Sequence, residues 1–299
     1  MLDIFKWAEP HDDSEVPCPG HNHPVTRSHF AAVRPCTDSQ LGRQHWLPDT
    51  ILNPLCLLLR AALGRHSKVV IFTSHLGTLL MRADYRITRP VIERELRAFA
   101  NVKLFEQLQW LMIIHLKKHW FVVQVVFLHL TARLEPCTSS MRCGPYIYCI
   151  HVIYGPPPRW PSFITLITAF SSLLQVDFEL KQIVAYDSLP EEARKADCAK
   201  ALRAVHRFVS DIHLQQKESP FDWSGWGQAH VRVCDQSGPD WYNCGVFAYL
   251  SLWCLARRAT ISLLQDVAPP SLTTSALASR VARWREQFVL WLRTGKVPV

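Results

Sequence analysis

The stretch Trp241-Tyr242-Asn243-Cys244-Gly245-Val246-Phe247-Ala248 decides how the rest of the chain is read. It sets one cysteine at the head of an apolar run, Val246-Phe247-Ala248-Tyr249-Leu250-Ser251-Leu252-Trp253, which predicts a buried helix over 244–256. A thiol on the first turn of a helix feels the positive end of the macrodipole and faces unpaired N–H groups, which favours its thiolate. Such a nucleophile needs a base and a group that orients the base, and both can lie far off in sequence. Two upstream fragments offer them: His119-Trp120 at the head of Phe121-Val122-Val123, and Asp187 in Ala185-Tyr186-Asp187-Ser188-Leu189. Taken singly, each reads as a core histidine, a turn aspartate or a buried cysteine. Their order and their neighbours point together to nucleophilic thiol chemistry.

The wider chain allows this. Its 299 residues suffice for one large or two small domains, and 48% hydrophobic content supports a sizeable core. No stretch reaches 18 uninterrupted apolar residues, so no membrane span is expected. Met1-Leu2-Asp3-Ile4-Phe5-Lys6 lacks a basic-then-apolar signal pattern, and none of the ten cysteines forms a Cys-x-x-Cys pair, so free thiols in an intracellular setting, nucleus or cytoplasm, are expected. The formal charge of +8 is uneven. From Leu255 onward Arg257, Arg258, Arg280, Arg283, Arg285, Arg293 and Lys296 face only Asp266 and Glu286, a net +5. That patch reads as a solvated helix face, with nucleic acid as the sharper alternative.

Residues 1–44, rich in Pro, His, Asp and Ser, predict a poorly ordered arm, and 45–299 a folded domain. Cys18, His21, His23 and Cys36 match no zinc-finger spacing, and no metal is expected. Helices are predicted over 49–63, where Pro54 should kink the axis, and over 89–100, 191–214 and 275–293. Strands are predicted at Leu111–His115, Trp120–Val126, Ile183–Tyr186 and Val231–Cys234, with Val69–Phe72 a short strand or core segment, giving an α+β domain with a central mixed sheet.

His119-Trp120, Tyr186-Asp187-Ser188-Leu189, and Gln236 ahead of Asn243-Cys244-Gly245-Val246-Phe247 resemble the signature of the ubiquitin-like-protein-specific, SUMO-type cysteine proteases. Trp46-Leu47-Pro48-Asp49 is similar to that family's opening segment, and Val102-Lys103-Leu104-Phe105 followed by Leu111–His115 to the strand that runs into its histidine. The resemblance spans about residues 45–255. It implies a papain-like fold, cleavage after Gly-Gly of a ubiquitin-like modifier such as SUMO, and no cofactor. It implies a triad of Cys244, His119 and Asp187, with Gln236 completing the oxyanion hole beside the Cys244 N–H. Trp46 and Trp120 would wall a tunnel over Gly-Gly, or else fill the core, and Asp49 would contact the modifier. Gln236 lies eight positions before Cys244, two more than is usual, and Asn243 stands where an Asp is common. Two rivals remain: a relative that binds a ubiquitin-like protein without cutting it, and a protease carried by a mobile element.

His119 and Asp187 stand 68 positions apart, where the family places them about one hairpin apart. Val123-Gln124-Val125-Val126-Phe127 and Leu174-Gln175-Val176-Asp177-Phe178 are near repeats. Removing Val125–Gln175, 51 residues, brings the separation to 17 and joins two strand-like segments. Valine codons begin GT and the usual glutamine codon ends AG, so an in-frame retained intron would leave this trace. A genuine insertion between strands is the alternative. Cys137, Cys143 and Cys149 within it read as incidental.

Overall fold

The computed structural model describes residues 14–16, 25–34, 46–64, 67–82, 90, 92–94, 96–128, 180–189, 191–233, 236, 242–257 and 274–298. The chain divides into one unit of Met1–Phe127 with Leu180–Val299 and a second of Leu128–Glu179. Of the second, only Leu128 is described.

The first unit is built on a five-stranded sheet of β3 (Val69–Phe72), β4 (Gln109–Leu116), β5 (His119–Leu128), β6 (Leu180–Asp187) and β7 (Gly227–Arg232), in that spatial order. β3 and β4 run parallel through helix α3 (Ser74–Met81), and β6 and β7 run parallel through α4 (Glu191–Lys217). β4 and β5 form an antiparallel hairpin whose loop is only Lys117 and Lys118. The strands bury both faces. Ile71, Leu111, Ile113, Trp120, Val122 and Val184 point into one core, with α1 (Arg27–Val33), α2 (Asp49–Leu63), α5 (Cys244–Ala256) and α6 (Thr274–Thr294). Phe72, Trp110, Met112, Phe121, Val123 and Ala185 point into the other, under α3 and α4. The alternation is the period-two consequence of strand geometry.

α2, β3 and α5 fall where the apolar patterns put them, and α2 runs unbroken across Pro54. α5 is buried along its length except at half-buried Trp253, as a helix apolar on all sides must be. Gly77 brings α3 onto the sheet: a Cβ there would stand 2.3 Å from the Ile113 carbonyl oxygen.

Several expectations are corrected. The arm is not featureless: Glu15–Val16 (β1) pairs with Val25–Thr26 (β2), and α1 seats Phe30 and Val33 in the core with no exposed surface. Burying such side chains contributes roughly 1.5–3 kcal/mol each, which outweighs the polar composition around them. β7 spans Gly227–Arg232 rather than Val231–Cys234, because backbone pairing with β6, from Gln182↔Gly227 to Asp187↔Arg232, sets its register. Val102–Phe105 leads into a 3-10 turn, Leu104–Glu106, and the strand itself begins at Gln109. Within 89–100 the described residues at 92–94 are helical, but Arg97–Phe99 tightens into a 3-10 turn. The predicted site residues all fall among the described residues, whereas the cysteine and histidine clusters at 18–36 and 137–149 lie outside them.

Candidate active site

Sheet order makes neighbours of residues far apart in sequence. His119 opens β5 and Asp187 closes β6, the adjacent strand. The His119 Nε2 and Asp187 Oδ1 atoms are 2.6 Å apart, with both side chains buried. Asp187 has no exposed surface. Its Oδ1 also accepts the Leu189 N–H at 2.9 Å, while Oδ2 accepts the Cys198 thiol at 3.7 Å and lies 3.6 Å from Arg194 Nε. Burial alone would raise this carboxyl. The His119 hydrogen bond and charge, the Leu189 amide and Arg194 outweigh it and hold Asp187 below the usual carboxylate value.

α4 supplies this second layer. Arg194 donates to Asp197 at 2.8 Å and to the Leu116 carbonyl at 3.3 Å, and Lys117 pairs with Asp197 at 2.9 Å. The hairpin loop before His119 is thereby tied to the helix behind Asp187. Burial, with the Asp187 charge next, pushes the Cys198 thiol up to about 12, so it remains a proton donor to the carboxylate. Asp187, Cys198 and His230 place possible ligand atoms within 4.8 Å of one another. A cation there would meet the Arg194 guanidinium, so the arrangement serves the carboxylate better than a metal.

Cys244 is the first residue of α5, after Asn243 as N-cap. It is 1% exposed, and burial pushes its thiol up to about 11, against the pull of the Trp120 and Gly245 backbone amides and of Arg285. The expectation that a helix N-terminus alone would favour the thiolate is thus corrected: desolvation of the charged form is the larger effect. Gly245 permits close approach. A Cβ there would lie 2.9 Å from Leu47 Cβ and 3.3 Å from Trp120 Cδ1. Trp120 is buried and stacks on His115, its cross-strand partner, at 4.3 Å and 29°.

Gln236 is buried beside the Asp187 turn. Its side-chain oxygen accepts the Ser188 hydroxyl at 2.5 Å, and its N–H donates to the Ser188 carbonyl at 3.1 Å. The amide NH₂ is the donor end of this side chain. Trp46 is half-buried, and Asp49 is exposed on the first turn of α2, with its carboxylate on the Thr50 N–H at 2.9 Å.

Sequence reading missed His115, Ser188, Arg194, Cys198 and Arg285. His115 was findable as the position opposite Trp120 once the hairpin was placed. Arg194 and Cys198 were not, because their roles depend on which way α4 faces Asp187. Arg285 was counted in the basic C-terminal patch, yet it has no exposed surface.

No family model matches the sequence, and no curated protein matches it. Solved structures do. The C-terminal Ulp1 protease domain in complex with Smt3, the yeast ortholog of SUMO, superposes with a TM-score of 0.55 at 15% identity, over 98% of this chain and 95% of that one. The SUMO protease Ulp1 with its catalytic cysteine oxidized to a sulfenic acid gives 0.50 at 15% identity, over 92% and 87%. At such identity the likeness speaks for architecture: the chain has the α+β fold of the SUMO-type cysteine protease domain.

Proposed function

We propose that this protein is a cysteine peptidase that cleaves after Gly-Gly of a ubiquitin-like modifier, SUMO being the best fit, to process it or release it from conjugates. The observation that carries the reading is the buried His119–Asp187 pair, 2.6 Å apart on adjacent strands of this fold, with a cysteine opening the central helix. Asp187 occupies Nε2, which leaves Nδ1 of His119 for the thiol. Burial raises the Cys244 thiol above its ordinary value, and in this reading His119 takes the thiol proton as the sulfur attacks the glycine carbonyl. The Cys244 N–H and the Gln236 amide receive the oxyanion. The imidazolium, stabilised by Asp187, then protonates the departing amine, and water activated by His119 hydrolyses the thioester. No cofactor takes part.

Trp46 and Trp120 serve in this reading as flat walls that admit residues without side chains, and Asp49 as an exposed contact to the modifier. The closeness of Trp120 to Gly245 supports it, since the wall then adjoins the nucleophile. A modifier carrying a C-terminal electrophile should label the protein covalently, and Cys244→Ala should abolish the labelling, detected by mass spectrometry. Undiminished labelling of the alanine variant would transfer the chemistry to another cysteine. A substrate ending Gly-Ala should be cut about 10–200-fold more slowly than Gly-Gly, the effect of roughly 1–3 kcal/mol from one excluded group. Equal rates would return the tryptophans to the core.

We further propose that 125–175 is a retained intron and that the active form lacks it. In β5 Val125 is buried, Val126 half-buried and Phe127 buried. Val176-Asp177-Phe178 would supply the same pattern, with the aspartate at the half-exposed position. Transcript sequencing across Gln124–Val176 tests this directly, and equal activity with and without the 51 residues would favour a genuine insertion. No described helix is long and apolar enough to cross a membrane. An intracellular site of action is part of the proposal. Nucleic-acid contact through the C-terminal arginines is weakened by the burial of Arg285.

A further inference from the structure

Arg285 lies on the buried face of α6 with Val281, Phe288, Val289 and Leu292, at helical spacing from each. A guanidinium cannot occupy an apolar stripe without satisfying its donors. Nε and Nη2 both donate to Asn243 Oδ1, at 2.9 and 2.7 Å, and Nη2 reaches the Tyr242 carbonyl at 3.4 Å. Nη1 donates to the Ala32 and Val33 carbonyls, at 3.0 and 3.3 Å. Those are the last two residues' worth of carbonyls at the end of α1, where a cation complements the helix dipole. Asn243 is the residue immediately before Cys244 and the N-cap of its helix. One side chain therefore joins α6, α1 and the N-terminus of α5.

We infer that Arg285 is the positioning residue of the nucleophile: it fixes the N-cap that presents Cys244 and places a positive charge behind the thiol. The inference rests on the proposed peptidase function. Besides His119, which the proposed mechanism sets against the thiol, the groups acting on the sulfur include Asp187 from β6, Arg285 from α6, and the amides of Trp120 on β5 and Gly245 on α5; Asp187 disfavours the thiolate and the other three favour it. Asn243 fits this role. As a neutral acceptor it orients the guanidinium without cancelling its charge, which a carboxylate at that position would do.

The test uses the intact protein and three variants, Arg285→Lys, Arg285→Met and Asn243→Asp. The readouts are thermal unfolding, the pH dependence of Cys244 alkylation by iodoacetamide followed by mass spectrometry, and kcat and KM. Arg285→Met should slow alkylation at neutral pH by about tenfold, equivalent to about one pKa unit. Asn243→Asp, which keeps an acceptor for the guanidinium, should move the alkylation midpoint the same way with the fold intact, so the proposal stays open to test if the methionine variant unfolds. Arg285→Lys should keep the midpoint near wild type, because the charge remains. It should still lower kcat with little change in KM, because a lysine cannot hold Asn243 Oδ1 through two N–H groups. If Asn243→Asp and Arg285→Lys alter only the melting temperature, Arg285 is structural and the inference fails. If alkylation shifts as expected while the wild type cuts no modifier, the peptidase reading fails and the placement of Arg285 stands.

Discussion

The two halves of the candidate site are held by different physics. On the base side, Asp187 is surrounded by polar contacts: His119, the Leu189 amide, the Cys198 thiol and Arg194, backed by Asp197 and Lys117. On the nucleophile side, Cys244 opens a helix packed almost wholly against apolar residues, and a single guanidinium organises its entry. Hydrogen bonds are directional, so the first arrangement specifies a ring orientation; apolar packing is not, so the second specifies position and leaves direction to Arg285. The comparison also divides the electrostatics. Asp187 keeps a charge that burial opposes, whereas burial raises the Cys244 thiol above its ordinary value.

The largest test of this division is Asp187→Asn. If His119 must take a proton from a neutral thiol, the charge of Asp187 is needed to stabilise the imidazolium, and kcat should fall by roughly 10³–10⁴-fold. A preformed thiolate–imidazolium pair would need that charge far less. A loss under about tenfold, measured in steady-state turnover, would therefore break the contrast. The substitution also has an acid signature. Because the folded carboxyl sits below its ordinary value, it contributes stability that is present above the unfolded pKa, about 3.9, and is lost as pH falls through the folded one. The asparagine variant should lack that part of the acid destabilisation in urea titrations.

Two glycines compare the halves by packing. At Gly77 a methyl group would meet the Ile113 backbone, which cannot step aside, so Gly77→Ala should cost about 1–3 kcal/mol of stability despite the better helix propensity of alanine. At Gly245 the nearest atoms are Leu47 Cβ, which moves only with its backbone, at 2.9 Å, and Trp120 Cδ1 at 3.3 Å, a milder clash than at Gly77. Gly245→Ala should cost less stability than Gly77→Ala, about 1 kcal/mol, and lower turnover by displacing Trp120. The opposite ranking in chemical denaturation would mean that the sheet side is the softer one.

What could be read from the residues follows the same line. α2, β3 and α5 were legible because apolar runs with clear ends define them. α3 was not: in eight residues only exposed His75 and half-buried Thr78 interrupt the buried Leu76, Gly77, Leu79, Leu80 and Met81, too few turns to reveal a helical period. β7 was misplaced because its half-exposed residues carry little pattern and its register belongs to β6. At the site, the pairing of His119 with Asp187 and the place of Cys244 at the head of a helix were legible through their flanking residues. Arg285 was not, since a charge count treats every arginine as exposed; its place at i+4 from Val281 on the apolar stripe was the available signal.

The smallest expected effect lies at the joint between the two strands of the hairpin. Lys117 and Lys118 both have positive φ, 51° and 63°, the arrangement of a two-residue type I′ loop that favours Asn and Gly. Lys117 has a reason to stay, its ion pair with Asp197. Lys118 is exposed, and a left-handed backbone costs a residue with a Cβ roughly 1–2 kcal/mol. Glycine removes that strain but loses more entropy on folding, about 0.5–1 kcal/mol, so Lys118→Gly should stabilise the protein by about 0.5–1 kcal/mol. The gain should appear as a higher denaturant midpoint at unchanged slope. Turnover should hold within about twofold, because the orientation of His119 is set by Asp187 and not by the loop. A loss of activity without a loss of stability would show that loop strain helps aim the imidazole, and the base side would then owe part of its geometry to the backbone as well as to hydrogen bonds.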